Sequence, residues 1–107
     1  MTKYKFGDVV LVLFYHPDGN RKQRPAAVIL DTGDEDIVLA PITSKRRTSK
    51  GDYKLKDWEQ SGLLLGSWVR LAKIACLSKN DITQQLGHFS SSDKKQMVSI
   101  WSKLYKF

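Results

Sequence analysis

The sequence predicts a mainly β, α+β fold: a small, strongly curved antiparallel sheet or partly closed barrel with one C-terminal helix. Short runs rich in β-branched and aromatic residues recur through the first three-quarters of the chain, separated by turns bearing Gly, Pro, Asn or Asp. Apolar residues at helical spacing come only at the end. A chain of 107 residues is long enough for one core and too short for two, so residues 1–107 are expected to form a single domain.

Gly7-Asp8 opens the first run, Val9 to Tyr15, which is apolar on both faces and reads as a buried strand. His16-Pro17-Asp18-Gly19-Asn20 is turn chemistry, and Arg21-Lys22-Gln23-Arg24 adds three cations to the same loop. Pro25 is expected to begin a second strand through Leu30, since proline is tolerated at a strand's first residue or on an edge. After the polar turn Asp31–Asp36, Ile37 to Ala40 form a third strand, closed by Pro41-Ile42-Thr43-Ser44. A basic loop, Lys45 to Gly51, leads to a short strand at Tyr53–Leu55 and a helical turn at Asp57–Gly62. Leu63–Leu65 and Trp68–Leu77 are two further strand candidates, Ser78–Asp81 is a turn, and Ile82–Leu86 has no decisive pattern. In the last segment Ser92 is the expected helix cap, with Asp93 in the first turn. Met97, Ile100, Trp101 and Leu104, widened by Val98 and Tyr105, form the stripe that packs on the sheet.

Eighteen Lys and Arg against eleven Asp and Glu give a formal charge of +7, which favours an anionic partner: nucleic acid, an acidic protein or an anionic membrane. The one cysteine, Cys76, lies in the apolar run Ile74–Leu77 and is expected to be a buried, reduced thiol. Asp8 precedes the seven-residue apolar run at Val9–Tyr15 and no small-residue cleavage site follows it, so neither a signal peptide nor a membrane span is expected and the location is taken as cytoplasmic.

Two histidines, His16 and His88, and one cysteine at no zinc-ligand spacing make a metal site improbable. Asp34-Glu35-Asp36 reads as a solvated turn, and no phosphate-loop, dinucleotide-binding or nucleophile-elbow motif is present. What remains is cations and hydroxyls at strand ends. If the second and third strands form a hairpin, Arg24 and Thr43 are neighbours at its open end. From pattern alone, an ordinary surface Arg and strand-end Thr remain the alternative. Trp58 and Trp68 are either core residues or platforms for stacking bases.

Gly7-Asp8-Val9-Val10, Arg24-Pro25-Ala26-Ala27-Val28-Ile29 and Pro41-Ile42-Thr43-Ser44 resemble, in order, the N-terminal motifs of the MazF/PemK-type toxins. Ser67 to Ile74 resembles the next family strand, and Gly87-His88-Phe89 before the last helix also fits. The resemblance implies an SH3-like barrel of the CcdB/MazF/PemK type, usually a homodimer. It implies metal-independent cleavage of single-stranded RNA to 2′,3′-cyclic phosphate and 5′-hydroxyl ends, without a cofactor. It also implies a cognate antitoxin whose acidic C-terminal segment blocks the RNA groove, with DNA bound only indirectly through the antitoxin complex.

Carried onto this chain, the family's catalytic Arg and Thr are Arg24 and Thr43, with Ser44 in a supporting position. His16 is a further candidate acid or base. Arg21, Lys22, Lys45, Arg46, Arg47, Arg70 and Lys73 are the candidate RNA-binding cations. Gly19 stands where some members have an acidic residue, and Leu65 and Ser67 where others have an Arg and an Asp, which leaves the general base unassigned. Two other readings stay open: a CcdB-like gyrase poison acting through its C-terminal helix, and an SH3-like RNA-binding module without catalysis.

Overall fold

The computed structural model describes residues 2–106. Seven antiparallel strands and one helix follow in the order β1 (Asp8–Tyr15), β2 (Arg21–Leu30), β3 (Asp36–Thr43), β4 (Asp52–Lys54), β5 (Trp68–Arg70), β6 (Ala75–Ser78), β7 (Ile82–His88) and α1 (Ser91–Leu104). The main path runs β4-β5-β3-β2-β1-β7, with β6 also on β3. β3 pairs with β6 through Asp36–Leu39 and with β5 through Ile42 and Thr43. Changing partner along one edge, together with two register shifts between β1 and β7, bends the sheet into the expected SH3-like barrel.

The first run lacks alternation because both faces of β1 are covered. Val9, with Ala27, Ala40, Val69, Phe89 and Met97, belongs to one core cluster. Val10 and Val12, with Ala26, Val28, Ile37 and Leu39, belong to another.

Several boundaries move. β2 starts at Arg21, and Pro25 lies inside it opposite Leu11. This is compatible with proline because the β2–β3 ladder runs only from Leu30↔Val38 to Ala26↔Pro41, leaving the β3 side of Pro25 unpaired. Leu63–Leu65 is a loop rather than a strand, and Trp68–Leu77 breaks into β5 and β6 around a turn. Cys76 is exposed; of that apolar run it is Ile74, just before β6, and Leu77, within it, that pack on the core clusters. Val98 is also exposed and lies off the buried stripe of α1.

α1 is capped by Ser90, two residues before the expected Ser92: the Ser90 hydroxyl accepts from Asp93 N at 3.1 Å. Asp93 is more than a first-turn carboxylate beside the helix dipole. Its side chain is fully buried, and it accepts from the Tyr53 hydroxyl at 2.6 Å and from the backbone N–H groups of Lys56 and Asp57 at 3.0 and 2.9 Å. Burial alone would raise the Asp93 carboxyl's pKa; those hydrogen bonds outweigh burial and hold it below the usual range. The same carboxylate pushes the Tyr53 phenol upward, after burial itself as the larger cause.

A second buried carboxylate, Asp31, accepts from Tyr4 N at 2.7 Å and Gly33 N at 2.8 Å and pairs with Lys79 Nζ at 2.8 Å. Burial opposes its ionisation, but these partners hold it at about 2.

Asp93→Ala strands two part-buried N–H donors and the Tyr53 hydroxyl, and is expected to cost about 3 kcal/mol in urea unfolding. Both carboxylates are depressed in the fold, so their stabilisation is complete above the ordinary value of 3.8 and fades as pH falls through the folded values, about 2 for Asp31. Asp31→Asn should therefore flatten the dependence of unfolding free energy on pH between those limits.

Candidate functional site

The decisive geometry is the parting of β2 and β3. In the register that ends at Ala26↔Pro41, Arg24 would fall opposite Thr43. The ladder has opened by then: Arg24 pairs with Val12 of β1 and Thr43 with Trp68 of β5. Pro25 and Pro41 each lack an N–H to hold the strands together there. Between the diverging strands lies a cleft of about 600 Å³ that both Arg24 and Thr43 line.

One wall is cationic and hydroxylic: Lys22, Arg24, Thr43, Ser44 and Lys45. Thr43 Oγ1 accepts from Lys45 N at 3.2 Å, which turns the chain off the sheet and leaves the hydroxyl hydrogen free to donate. Among the described residues, none of the three cations has a carboxylate within ion-pair distance, so their field acts on the cleft uncompensated.

Another part of the lining is apolar: Leu63, Leu64 and Leu65, together with Leu86. Leu64 is 91% and Leu65 62% exposed, held outward by a turn with little slack. Ser61 N donates to Asp57 O at 3.3 Å and Leu63 N to Trp58 O at 3.2 Å. Gly62 takes φ +87° and abuts the Leu86 carbonyl, while Gly87 abuts the Ser61 carbonyl. A side chain at either glycine would push the loop off β7. Ser67 is buried at the cleft's edge, and its hydroxyl donates to Leu65 O at 2.8 Å. Leu65 and Ser67, where the resemblance would allow Arg and Asp, thus line the cleft as an apolar and a neutral group.

The remaining candidates lie elsewhere. His16 sits in the β1–β2 turn, where its backbone closes the loop with Asn20 and Gly19. It is four residues beyond Val12, the partner of Arg24, or roughly 13 Å along the strand. Arg21 stacks over Tyr15, 5.5 Å from the ring centroid. Arg46 and Arg47 are exposed in the loop past Lys45, and Lys73 in the turn after β5; none of these lines the cleft.

Arg70 is tied to Asp52, Nε to Oδ1 at 3.1 Å, and the Asp52 side chain is 1% exposed. Trp58 packs on the core, and Trp68 lies under Lys54 Nζ at 5.5 Å; neither lines the cleft. Among the described residues no three His, Cys, Asp or Glu side chains are placed to hold a metal, and Asp34 instead accepts from Asp36 N within its turn.

Sequence reasoning named the cationic wall but not Gln23 or the leucine wall. Three consecutive leucines straight after a turn glycine, without strand alternation, were the available signal.

The profile of the PemK-like, MazF-like toxins of type II toxin-antitoxin systems matches residues 5–106. This chain belongs to that family. Among curated protein sequences none matches it significantly. Among solved structures it is similar to a MazE–MazF complex from Deinococcus radiodurans, with a TM-score of 0.78, 16% identity, and coverage of 97% of this chain and 96% of that one. It is also similar to an endoribonuclease in complex with its cognate antitoxin from a mycobacterial species, with a TM-score of 0.75, 17% identity, and coverage of 94% and 92%. The Mycobacterium tuberculosis toxin MazF-mt6 gives 0.72, 16%, 92% and 97%. At these identities the structural likenesses establish the fold.

Because Arg70 is committed to Asp52, Arg70→Ala should lower stability by about 2–3 kcal/mol in urea unfolding while leaving affinity for single-stranded RNA unchanged. Loss of RNA affinity in a folded Arg70→Ala protein would place that guanidinium in the interface.

Proposed function

We propose that this chain, as one toxin domain, is a metal-independent endoribonuclease that cleaves single-stranded RNA. The observation that carries this reading is the cleft itself. It brings three unpaired cations and two hydroxyls to one wall, in a chain that belongs to a toxin family. A phosphodiester is the group such a wall suits, and the leucine part of the lining offers apolar contact to a base.

The 2′-hydroxyl attacks the adjacent phosphorus while the bond to the 5′-oxygen of the next nucleotide breaks. The products are a 2′,3′-cyclic phosphate and a 5′-hydroxyl. The nucleophile is part of the substrate, so no metal-bound water is required, and DNA is not a substrate because it lacks that hydroxyl. Arg24 is the charge stabiliser: its guanidinium is planar, multidentate and always protonated, so it can bridge two phosphoryl oxygens as negative charge accumulates on them. Thr43 Oγ, with its free hydrogen, orients the scissile phosphate, and Ser44 supports it. Lys22 and Lys45 draw the backbone in.

No His, Asp or Glu lines the cleft, so the proton on the 2′-hydroxyl is not assigned to a side chain. We extend the reading to a cytoplasmic homodimer held in check by an antitoxin with an acidic, partly apolar segment. That chemistry complements both walls, and two of the similar structures are toxin–antitoxin complexes.

Arg24→Ala should lose cleavage by about 10²–10³-fold with the fold intact, read as 5′-hydroxyl ends on total RNA. Undiminished cleavage by that variant would sink the assignment. Cleavage is expected to persist in EDTA. With no imidazole or carboxylate in the cleft, the rate from pH 5 to 8 should lack the bell shape of paired acid–base catalysis. A clear bell over that range would mean that a titrating group reaches the cleft.

A further inference from the structure

We propose that a second site, a polar hollow where β1 begins and β7 ends, binds a phosphate group, either a phosphodiester of an RNA strand or a free phosphate. The hollow has a volume of about 600 Å³ and is lined by Lys3, Lys5, Asp8, Gln85, His88 and Lys94, with Phe6 at its edge. It shares no residue with the Arg24–Thr43 cleft.

Its centre is a chain of three side chains. Asp8 is buried, and both its oxygens are engaged: Oδ1 lies 2.7 Å from His88 Nδ1, and Oδ2 accepts from Lys5 N at 2.8 Å. The carboxylate fixes the imidazole with Nδ1–H toward itself, which leaves the Nε2 lone pair facing the hollow. Lys94 Nζ donates to that nitrogen at 2.9 Å. The ammonium is thereby positioned without being neutralised, because its direct partner is an imidazole and the carboxylate is one ring away.

The fold treats its other buried or half-buried cations differently. Lys79 lies directly on Asp31 and Arg70 on Asp52. Among the described residues, Lys3, Lys5 and Lys94 have no carboxylate within ion-pair distance.

Three ammonium groups around one hollow repel one another, and a compact fold gains nothing from that repulsion unless an anion enters. The hollow is also shaped for the arrangement. Gly7 takes φ +92°, and a Cβ there would sit 2.7 Å from Lys94 Cδ. The glycine is what lets the Lys94 stem cross the backbone to reach His88. Lys94 lies in the first turn of α1, whose N-terminal dipole adds to the positive field. A tetrahedral oxyanion can take the two free N–H groups of Lys94 together with the Lys3 and Lys5 ammoniums. The Asp8 charge opposes the anion, but its oxygens are turned to the Lys5 N–H and the His88 ring, and three ammonium groups outnumber it.

The phosphate arm of this proposal is independent of the cleavage reading; the RNA arm rests on it. The test titrates the full chain with inorganic phosphate at constant ionic strength, following the His88 ring and Lys94 ammonium signals by NMR. In parallel, binding of a 2′-O-methyl single-stranded RNA, which cannot be cleaved, is measured against salt. Wild type should show saturable phosphate binding that Lys94→Gln weakens at least tenfold and Lys94→Arg retains. The double variant Lys3→Gln/Lys5→Gln, at two exposed lysines whose ammonium groups have no ion pair among the described residues, should weaken it likewise with an unchanged melting temperature.

A salt slope for RNA lowered by about 1 in Lys94→Gln identifies the strand backbone as the source. An unchanged slope with lost phosphate binding identifies a free phosphate group. Equal phosphate and RNA binding in wild type and both folded variants overturns the site. Arg24→Ala should show the same phosphate-dependent shifts of the His88 ring and Lys94 ammonium as wild type, whatever happens at the cleft, so failure of the cleavage reading and failure of this site are distinguishable.

Discussion

β3 must serve three neighbours, and most of the molecule follows from that constraint. Its first half is sandwiched between β2 and β6, which completes the barrel. Its last two residues leave β2 and pair with β5. An antiparallel strand cannot follow both a straight ladder on one edge and a new partner on the other without bending, and here the bend coincides with two prolines that cannot donate. The ladder opens at that point, and the open end becomes a cleft instead of more sheet. Arg24 and Thr43 both line that cleft because β2 and β3 stop pairing there; two more ladder pairs would close it.

The second wall depends on a different tie. Asp93, at the start of α1, binds the backbone of Lys56 and Asp57, and those residues begin the turn that ends at Gly62 and presents Leu63 to Leu65. The helix thus holds the leucine wall through a buried carboxylate, while the cationic wall is held by strand pairing. The Ser61-Gly62 backbone packed against Leu86-Gly87 fixes the loop from the β7 side. Two exposed leucines on a mobile loop would fold back onto the protein; on an anchored loop they stay in water, a costly arrangement that is sensible only where something covers them.

The strands with strong patterns were legible from the residues: β1, the centres of β2 and β3, and the stripe of α1. The errors have common causes. Pro25 marked the place where pairing with β3 is lost, but not the start of β2, because proline forbids a donor on one side only. Leu63–Leu65 has strand composition, yet the turn at Asp57–Gly62 and the close approach to β7 keep it a loop, and neither constraint is local to those three residues. Cys76 looked buried within an apolar run, but β6 pairs only with β3 at the sheet's edge, and Ala75 and Cys76 both stay exposed while Leu77 packs on the core. Thr43 was legible as a strand-end residue, but Arg24 lies inside β2 and the two are not partners across the β2–β3 ladder, which ends at Ala26↔Pro41; what they share is the lining of the cleft. Arg70 was not legible as a structural cation, because its partner Asp52 lies eighteen positions earlier on another strand.

The pairing of cations separates those that hold the fold from those that face outward, which net charge does not do. Lys79 and Arg70 are each within 3.1 Å of a carboxylate that water scarcely reaches. Removing either partner would leave a buried charge alone, and each pair therefore has a structural consequence whether or not RNA is present. Among the described residues Lys22, Arg24 and Lys45 have no such partner, and neither have Lys3, Lys5 and Lys94. The formal +7 is therefore concentrated, in part, in two hollows rather than spread evenly over the surface. Salt screens an evenly charged surface within a Debye length, but a concave site in which cations predominate focuses its field and keeps a local attraction for anions. Such a distribution favours localised attraction of anions at these two hollows over the diffuse attraction that overall charge alone would give.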